Sequence, residues 1–475
     1  MTMSGLPSLF PTQKSDPELY PFRSGLVYGF FNALTWQIAI GTPMVLFAEQ
    51  LGASTLQVGL AYSFVFLLTP IQILCTALVP RYGFKRVMLG GWRSRSAFLA
   101  VPVALTVLAV RGVSPWMTSL LIWSVFLFCL CRAIGTAAAY PWFYAILPPS
   151  VRGRYFASDQ YISGTGGVAT LLASAALFAL LPLYWALLVQ YLIALAGSML
   201  SYSALCRLPD AAPPPPISLY SVLRDTPRHI FVPSVFRTYL WLAVWYAVLS
   251  SPIPPFAAYY LKAVQQLSAE QIMLFEVLRY TGVIVAAWLI RRRVDAIGAK
   301  PFFLLALGLY ALVGTYWWFY LRHGIGGIGG VFAVYFLLGL AVATWNVANL
   351  GYLPKIVPRD QQTLLVSIHG AVTAFIGGLS PVVWGLYLKH GAGPGPAMNA
   401  GVFQWFFVSV VVGAVVLSPL VARLPEDTKL PVEPLLISNA LLHPFRAASC
   451  IVNIIDLRIL RLQDEKKGGD PGKHG

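Results

Sequence analysis

Charge is what this chain of 475 residues has least of. Asp, Glu, Lys and Arg together make up 11% of it, against roughly 25% in an ordinary soluble domain. A soluble protein of this length could not cover its surface with so few charges, which excludes a soluble enzyme or binding domain. Acids are scarcer still, 17 against 33 Lys and Arg, for a net charge of +16. That excess forms no long basic block and accompanies no nucleic-acid motif, so a nucleic-acid partner is not expected. There are five cysteines and no CxxC pair, and Cys75, Cys129 and Cys131 lie inside apolar runs. Neither a disulfide framework nor a zinc site is indicated. A phosphate-binding glycine loop ending in GK[ST] is missing, so ATP does not drive the process directly, and no cofactor is expected. No loop carries the paired carboxylates or His/Asp set that a membrane-embedded transferase needs at a membrane face. Met1 to Phe22 lacks the basic region and short apolar core of a secretory signal.

What the chain has instead is long apolar runs. Twelve are near or above the ~20 residues that cross a bilayer as a helix. Their approximate limits are 24–48, 55–79, 87–110, 116–146, 155–181, 184–205, 238–261, 271–290, 301–321, 330–353, 363–388 and 401–422. The longest polar break is Cys206 to Arg237, with four consecutive prolines at Pro213 to Pro216 and basic Arg207, Arg224, Arg228 and Arg237. Four prolines favour extended polyproline II and stop a membrane helix. The expected organisation is a cytoplasmic segment 1–23, a six-helix bundle 24–205, a Pro/Arg-rich linker 206–237, a second bundle 238–424 and a tail 425–475. Residues from about Ala447 to Leu462 read as an amphipathic helix on the membrane surface.

Basic residues orient the spans. With the N-terminus inside, the inner loops hold Arg81, Lys85, Arg86, Arg152, Arg154, the linker cations, Arg291, Arg292, Arg293, Lys300, Lys355 and Arg359. The outer loops hold Arg111, Lys262, Arg322 and Lys389. Positive charge marks the cytoplasmic side, so both termini are expected there, in a plasma (inner) membrane.

The two halves repeat each other. Ser54–Gln57–Val58 after the first span matches Ser268–Gln271–Ile272 after the seventh. Gly83 matches Gly298, and Pro149 matches Pro358, all at nearly constant offset. Parallel repeats of six helices are a transporter architecture.

At these residues the chain resembles the major facilitator superfamily, over about residues 20 to 425. The loop after the second span is similar to that family's Gly-x-x-x-Asp-Arg-x-Gly-Arg-Lys signature at Arg81, Gly83 and Lys85, with Thr76 and Pro80 in place of the first Gly and the Asp. The loop after the eighth keeps Asp295, Gly298 and Lys300, with Ala296 in place of the Arg. The resemblance implies an all-α membrane protein with twelve transmembrane helices in two pseudo-symmetric six-helix bundles. It further implies that these two loops gate the inner face. The alternative reading of the loops is a positive-inside hairpin with no gating role. Leu130 to Ala139 is similar to the family's Arg-x-x-x-Gly pattern, with Gly135 one position early; the Arg of that pattern is associated with proton or substrate coupling.

Candidate site residues follow from depth. Arg132 lies about 16 residues into its span, roughly 24 Å deep, where a charge needs a polar cavity or a partner. Glu276 and Arg279 share one helical face. Their joint reading is a proton-coupling site, with mutual neutralisation as the alternative. Arg93 and Arg95 point about 200° apart and start near the inner end, where they can snorkel. Asp159 falls near the end of its helix. Spans one, four, seven and ten line the cavity in the resembled family. That makes Asn32, Asn346, Asn349 and Trp245 further candidates, with interhelical hydrogen bonding or an interface belt as their alternatives. The expected function is secondary active transport of a small organic solute by alternating access, as a monomer, coupled to protons or another ion. Two deep arginines against one deep acid lean towards an anionic substrate. An exporter of lipophilic compounds, a membrane-embedded transferase and a transporter-like sensor are the alternatives. Reporters fused at Arg224 and Lys473 should give a cytoplasmic signal, and one inserted near Gly327 an external signal; an external signal at Arg224 would reverse the orientation or change the helix count.

Overall fold

In hydrocarbon no water satisfies a backbone N–H or C=O, so an apolar chain that spans it must be helical or a closed barrel. The computed structural model describes residues 9–216, 218–263, 265–267, 269–291, 293–324, 326–391, 400–425 and 432–455. Its described residues form helices with no strand. Ten are long and apolar enough to cross a membrane: α1 (Tyr20–Gln50), α2 (Gln57–Tyr82), α4 (Pro115–Ile146), α5 (Pro149–Leu180), α6 (Leu183–Cys206), α8 (Val235–Ala258), α10 (Lys300–His323), α11 (Gly327–Ile356), α12 (Arg359–Tyr387) and α13 (Phe403–Ala422). Two more helices occupy the third and eighth places of the expected twelve. They are α3, in two pieces, Phe84–Phe98 and Ala100–Ala109, and α9 (Ala269–Ile290). α3 carries Lys85, Arg86, Arg93 and Arg95, and α9 carries Glu276 and Arg279. The belt of large exposed apolar side chains, such as Trp123, Leu180, Val383 and Trp405, faces where lipid would be.

The repeated loops have matching backbone causes. Ser54 caps α2 by accepting from the Gln57 amide, while the Gln57 side chain accepts from the Ser54 amide at 2.8 Å, a reciprocal capping box. Its expected counterpart Ser268 lies outside the described residues. Gly83 and Gly298 both sit at positive φ, +81° and +100°, where a Cβ would clash with the backbone. The proline correspondence shifts by one residue. Pro148 and Pro358, both extended, each precede a 3-10 turn, Pro149–Val151 and Arg359–Gln361. Pro358 therefore corresponds to Pro148 rather than Pro149.

The linker is more structured than its prolines suggest. After the irregular stretch 211–216 comes α7 (Leu219–Phe231), capped by Ser218 accepting from the Ser221 amide at 3.0 Å. It packs against α2, α8 and α12. In the tail, α14 (Ile437–Leu442) and α15 (Pro444–Ile455) follow one another. Of the expected surface helix, residues beyond 455 lie outside the described ones.

The two groups of helices meet along two seams, α5 with α9 and α2 with α12. Close packing depends on small residues. A Cβ on Gly339 of α11 would fall 1.9 Å from the Arg279 carbonyl oxygen of α9. Gly339→Leu should therefore lower the melting temperature of the purified protein, by an overpacking cost of about 1–3 kcal/mol. Gly308, beside open space, is the control: Gly308→Ala should leave the melt unchanged or slightly raised.

Candidate functional site

Two glycines bring α3 and α4 together. A Cβ on Gly91 would fall 2.6 Å from the Cys131 carbonyl oxygen and 2.7 Å from the Gly135 Cα. Arg95 stands about one turn beyond Gly91, and Arg132 about one turn before Gly135. Both line a cavity of about 480 Å³ with α1, α5, α9 and α11 as its other walls.

Each guanidinium is held by aromatic faces. Arg95 is 1% exposed, with its charge 4.4 Å from the Trp92 ring centre and 5.3 Å from that of Phe128. Its Nη2 donates to Asn32 Oδ1 of α1 at 2.7 Å. Arg132 lies 4.8 Å from the Trp36 ring centre. The buried Nε atoms of both arginines have no hydrogen-bond partner. Such contacts attract a cation through the ring quadrupole, by about 2 kcal/mol when desolvated, but supply no negative charge. Ion pairs among the described residues include Arg154 with Asp16 and Glu18, Arg224 with Asp225, and Arg279 with Glu276. Neither Arg95 nor Arg132 is in one.

One carboxylate shares the cavity, Asp159 of α5. It packs so closely on α1 that a Cβ on Gly29 would fall 2.2 Å from its Oδ1 and 3.0 Å from Ser163 Oγ. No described cation pairs with it. From the other bundle come Arg279, Tyr280 and Val283 of α9 and Val342 and Asn346 of α11. Gln37 Nε2 of α1 donates to the Tyr280 hydroxyl at 2.6 Å across the two bundles.

The structure thus gathers Asn32, Arg132, Arg279 and Asn346 around one cavity. The other candidates lie elsewhere. Glu276 holds Arg279 at 2.6 and 2.8 Å. Asn349 accepts from the Tyr239 hydroxyl, whose ring stacks on His369. Trp245 is 57% exposed on the outside of α8. Sequence depth undervalued Arg95 and Asp159. Arg95 does not snorkel: Trp92 and Phe128 enclose it, while Arg93 is the exposed member of the pair. The signal available was the opposed directions of Arg93 and Arg95, which leave one of them to face inward.

On the face that carries the linker, contacts cross between the bundles. Asp295 accepts from the amides of Gly153 and Arg154 at 2.8 and 2.7 Å. These are unsatisfied donors at the positive end of a helix, where a carboxylate is favoured. The Arg154 side chain in turn pairs with Asp16 and Glu18. Along the other seam, Gln72 donates to the Ser367 carbonyl at 3.2 Å and Thr69 to that of Ala371 at 3.3 Å. Farther from the linker the α2–α12 seam opens into a cleft of about 450 Å³. Among the described residues the first-half loop carries no acid that makes an equivalent crossing contact. Pro80 stands where the acid would be, Arg81 lies over the neighbouring Tyr82 ring, and Lys85 donates to the Leu208 carbonyl of the linker at 2.7 Å. Gly298 makes the turn after Asp295, and Lys300 donates to the Ala422 carbonyl at 3.4 Å within its own bundle.

No protein-family model and no curated protein sequence matches this chain. Solved structures do. A bacterial homologue of the iron transporter ferroportin, outward-facing with soaked iron, superposes with a TM-score of 0.63 at 14% identity, covering 86% of this chain and 98% of its own. The proton:xylose symporter XylE gives 0.60 at 12%, covering 87% and 96%. The E. coli fucose:proton symporter FucP gives 0.59 at 16%, covering 84% and 98%. The chain has the major facilitator fold. In that fold the cavity lies between the two bundles and the Asp295 contact spans them at the linker face.

Asp295→Asn would keep at most one neutral bond, because its single oxygen can accept from one amide while its NH2 meets the other donor. A cysteine placed at Ser367 should then react faster with a water-soluble maleimide added from the linker side. Unchanged labelling would mean that the crossing contact does not hold this face shut.

Proposed function

We propose that this chain is a secondary active transporter that moves a small organic anion by alternating access. The observation that supports it is the pair of guanidinium groups, buried Arg95 and half-buried Arg132, which line the cavity without a carboxylate partner. An uncompensated positive charge in a low-dielectric cavity favours an anion and repels a cation. Arginine also presents paired donors that match a carboxylate or phosphate. A metal cation, as soaked into the ferroportin homologue, finds less support. Among the described residues no three His, Cys, Asp or Glu side chains gather to hold one.

Protons are the coupling ion in this reading. Asp159 suits that role better than Glu276, because Arg279 already neutralises Glu276. An ionised Asp159 repels an incoming anion and competes for the arginines; a protonated one does neither. Substrate and proton then enter together. The transporter acts as a monomer in the plasma membrane, with the linker face and both termini cytoplasmic, the reading its basic loops support.

Arg132→Lys keeps the charge but loses the fork, and should weaken anion binding several-fold. Arg132→Gln should weaken it about ten- to a hundredfold, the loss of a hydrogen bond to a charged group. Asp159→Asn should abolish accumulation driven by a pH gradient while leaving substrate exchange intact, whereas Glu276→Gln should reduce both. Transport of a cation, or binding indifferent to Arg132, would overturn the proposal.

A further inference from the structure

The linker helix α7 divides its circumference into three sectors. One faces the protein: Val222 is fully buried, and Thr226, His229 and Ile230 are half-buried beside it. At about 100° per residue, Leu223, Tyr220 and Phe231 follow on one side, with Leu219 at their border with the protein-facing sector. Leu219, Leu223, Tyr220 and Phe231 are 51%, 56%, 73% and 65% exposed, the Phe231 ring also meeting that of Trp241 with centres 6.4 Å apart. The third holds Arg224 and Arg228, one turn apart and both exposed. Burial holds the His229 imidazole below its usual range, so it adds no charge there. Arg224 bonds Asp225 at 2.9 Å, which leaves one net positive charge on the helix. Beside the arginines is an open concavity of about 380 Å³, shared with Ser234 and Gln361.

An exposed apolar face costs free energy in water, and four large side chains along one side of a helix form more than scattered surface residues. The same face is favourable where acyl chains meet headgroups, with arginines at its edge reaching phosphates. We propose that α7 is a membrane-surface helix that docks on anionic lipid headgroups through Arg224 and Arg228, with Leu219, Tyr220, Leu223 and Phe231 among the acyl chains. Because α7 packs against α2, α8 and α12, the lipid surface becomes a partner of the linker-side seam. This assignment is independent of the transported substrate.

The test uses the full chain in nanodiscs of phosphatidylcholine and of phosphatidylcholine with phosphatidylglycerol. Phosphatidylglycerol bearing a photoreactive acyl chain should label Leu219, Tyr220 or Leu223. Hydrogen exchange of the 219–231 amides should be slower in the anionic discs. Arg224→Gln and Arg228→Gln should each reduce that slowing about fivefold, the effect of roughly one surface charge, and the lysine variants should restore it. The photolabel separates docking from simple charge screening, and the lysine variants control for misfolding. Absence of label on this segment, or equal exchange in both discs, overturns the proposal. Slowing by inorganic phosphate in phosphatidylcholine discs also overturns it, by assigning the concavity to a soluble anion.

Discussion

The arrangement depends on two positive charges kept inside an apolar body without a counter-charge. Removing a guanidinium from water is expensive, and the cost is met here by partial means: indole and phenyl faces, one amide oxygen, and an open cavity that admits solvent or ligand. Each of these sets a packing requirement. The Gly91–Gly135 approach brings α3 and α4 close enough to place both arginines on one cavity wall. Gly29 leaves room for Asp159 against α1. The small residues therefore serve the charges as much as they serve the packing.

The two bundles share a plan and divide the work. The cavity is cut mainly into the first, whose helices supply both unpaired arginines and Asp159. The interior of the second is filled by rings. Tyr246 stacks on Trp345 with centres 3.6 Å apart and planes 7° apart, and Tyr310 and Phe303 close around them. The loops differ in the same complementary way. The second keeps an acid that reaches the first bundle's helix end, while Pro80 removes that option from the first. A duplicated scaffold can lose one copy of a crossing contact when the other copy still joins the halves at that face.

Much of the fold was legible because membrane helices announce themselves locally. Run length, basic loops and turn residues need no knowledge of tertiary contacts. Gly83 and Gly298 were visible as a repeat, and their positive φ explains it. The proline match was off by one because Pro148 and Pro149 are adjacent and only backbone geometry separates them. α7 was hidden by the prolines before it, which dominate the composition of the linker without entering the helix.

What the sequence determined by itself was the class: an all-helical, doubled membrane protein with most of its basic residues between the apolar runs. Arg132, Arg279, Asn32 and Asn346 could be nominated because depth along a helix follows from counting residues. Rotation about the helix axis does not. Only the tertiary structure decided that Arg95 faces inward and Arg93 outward, that Glu276 is occupied by Arg279, and that Asp159 joins the arginines. In helices that are apolar nearly all round, the hydrophobic pattern specifies no preferred face. The rotation is set instead by which small residues allow two backbones to approach, and that is a property of pairs of helices rather than of either one.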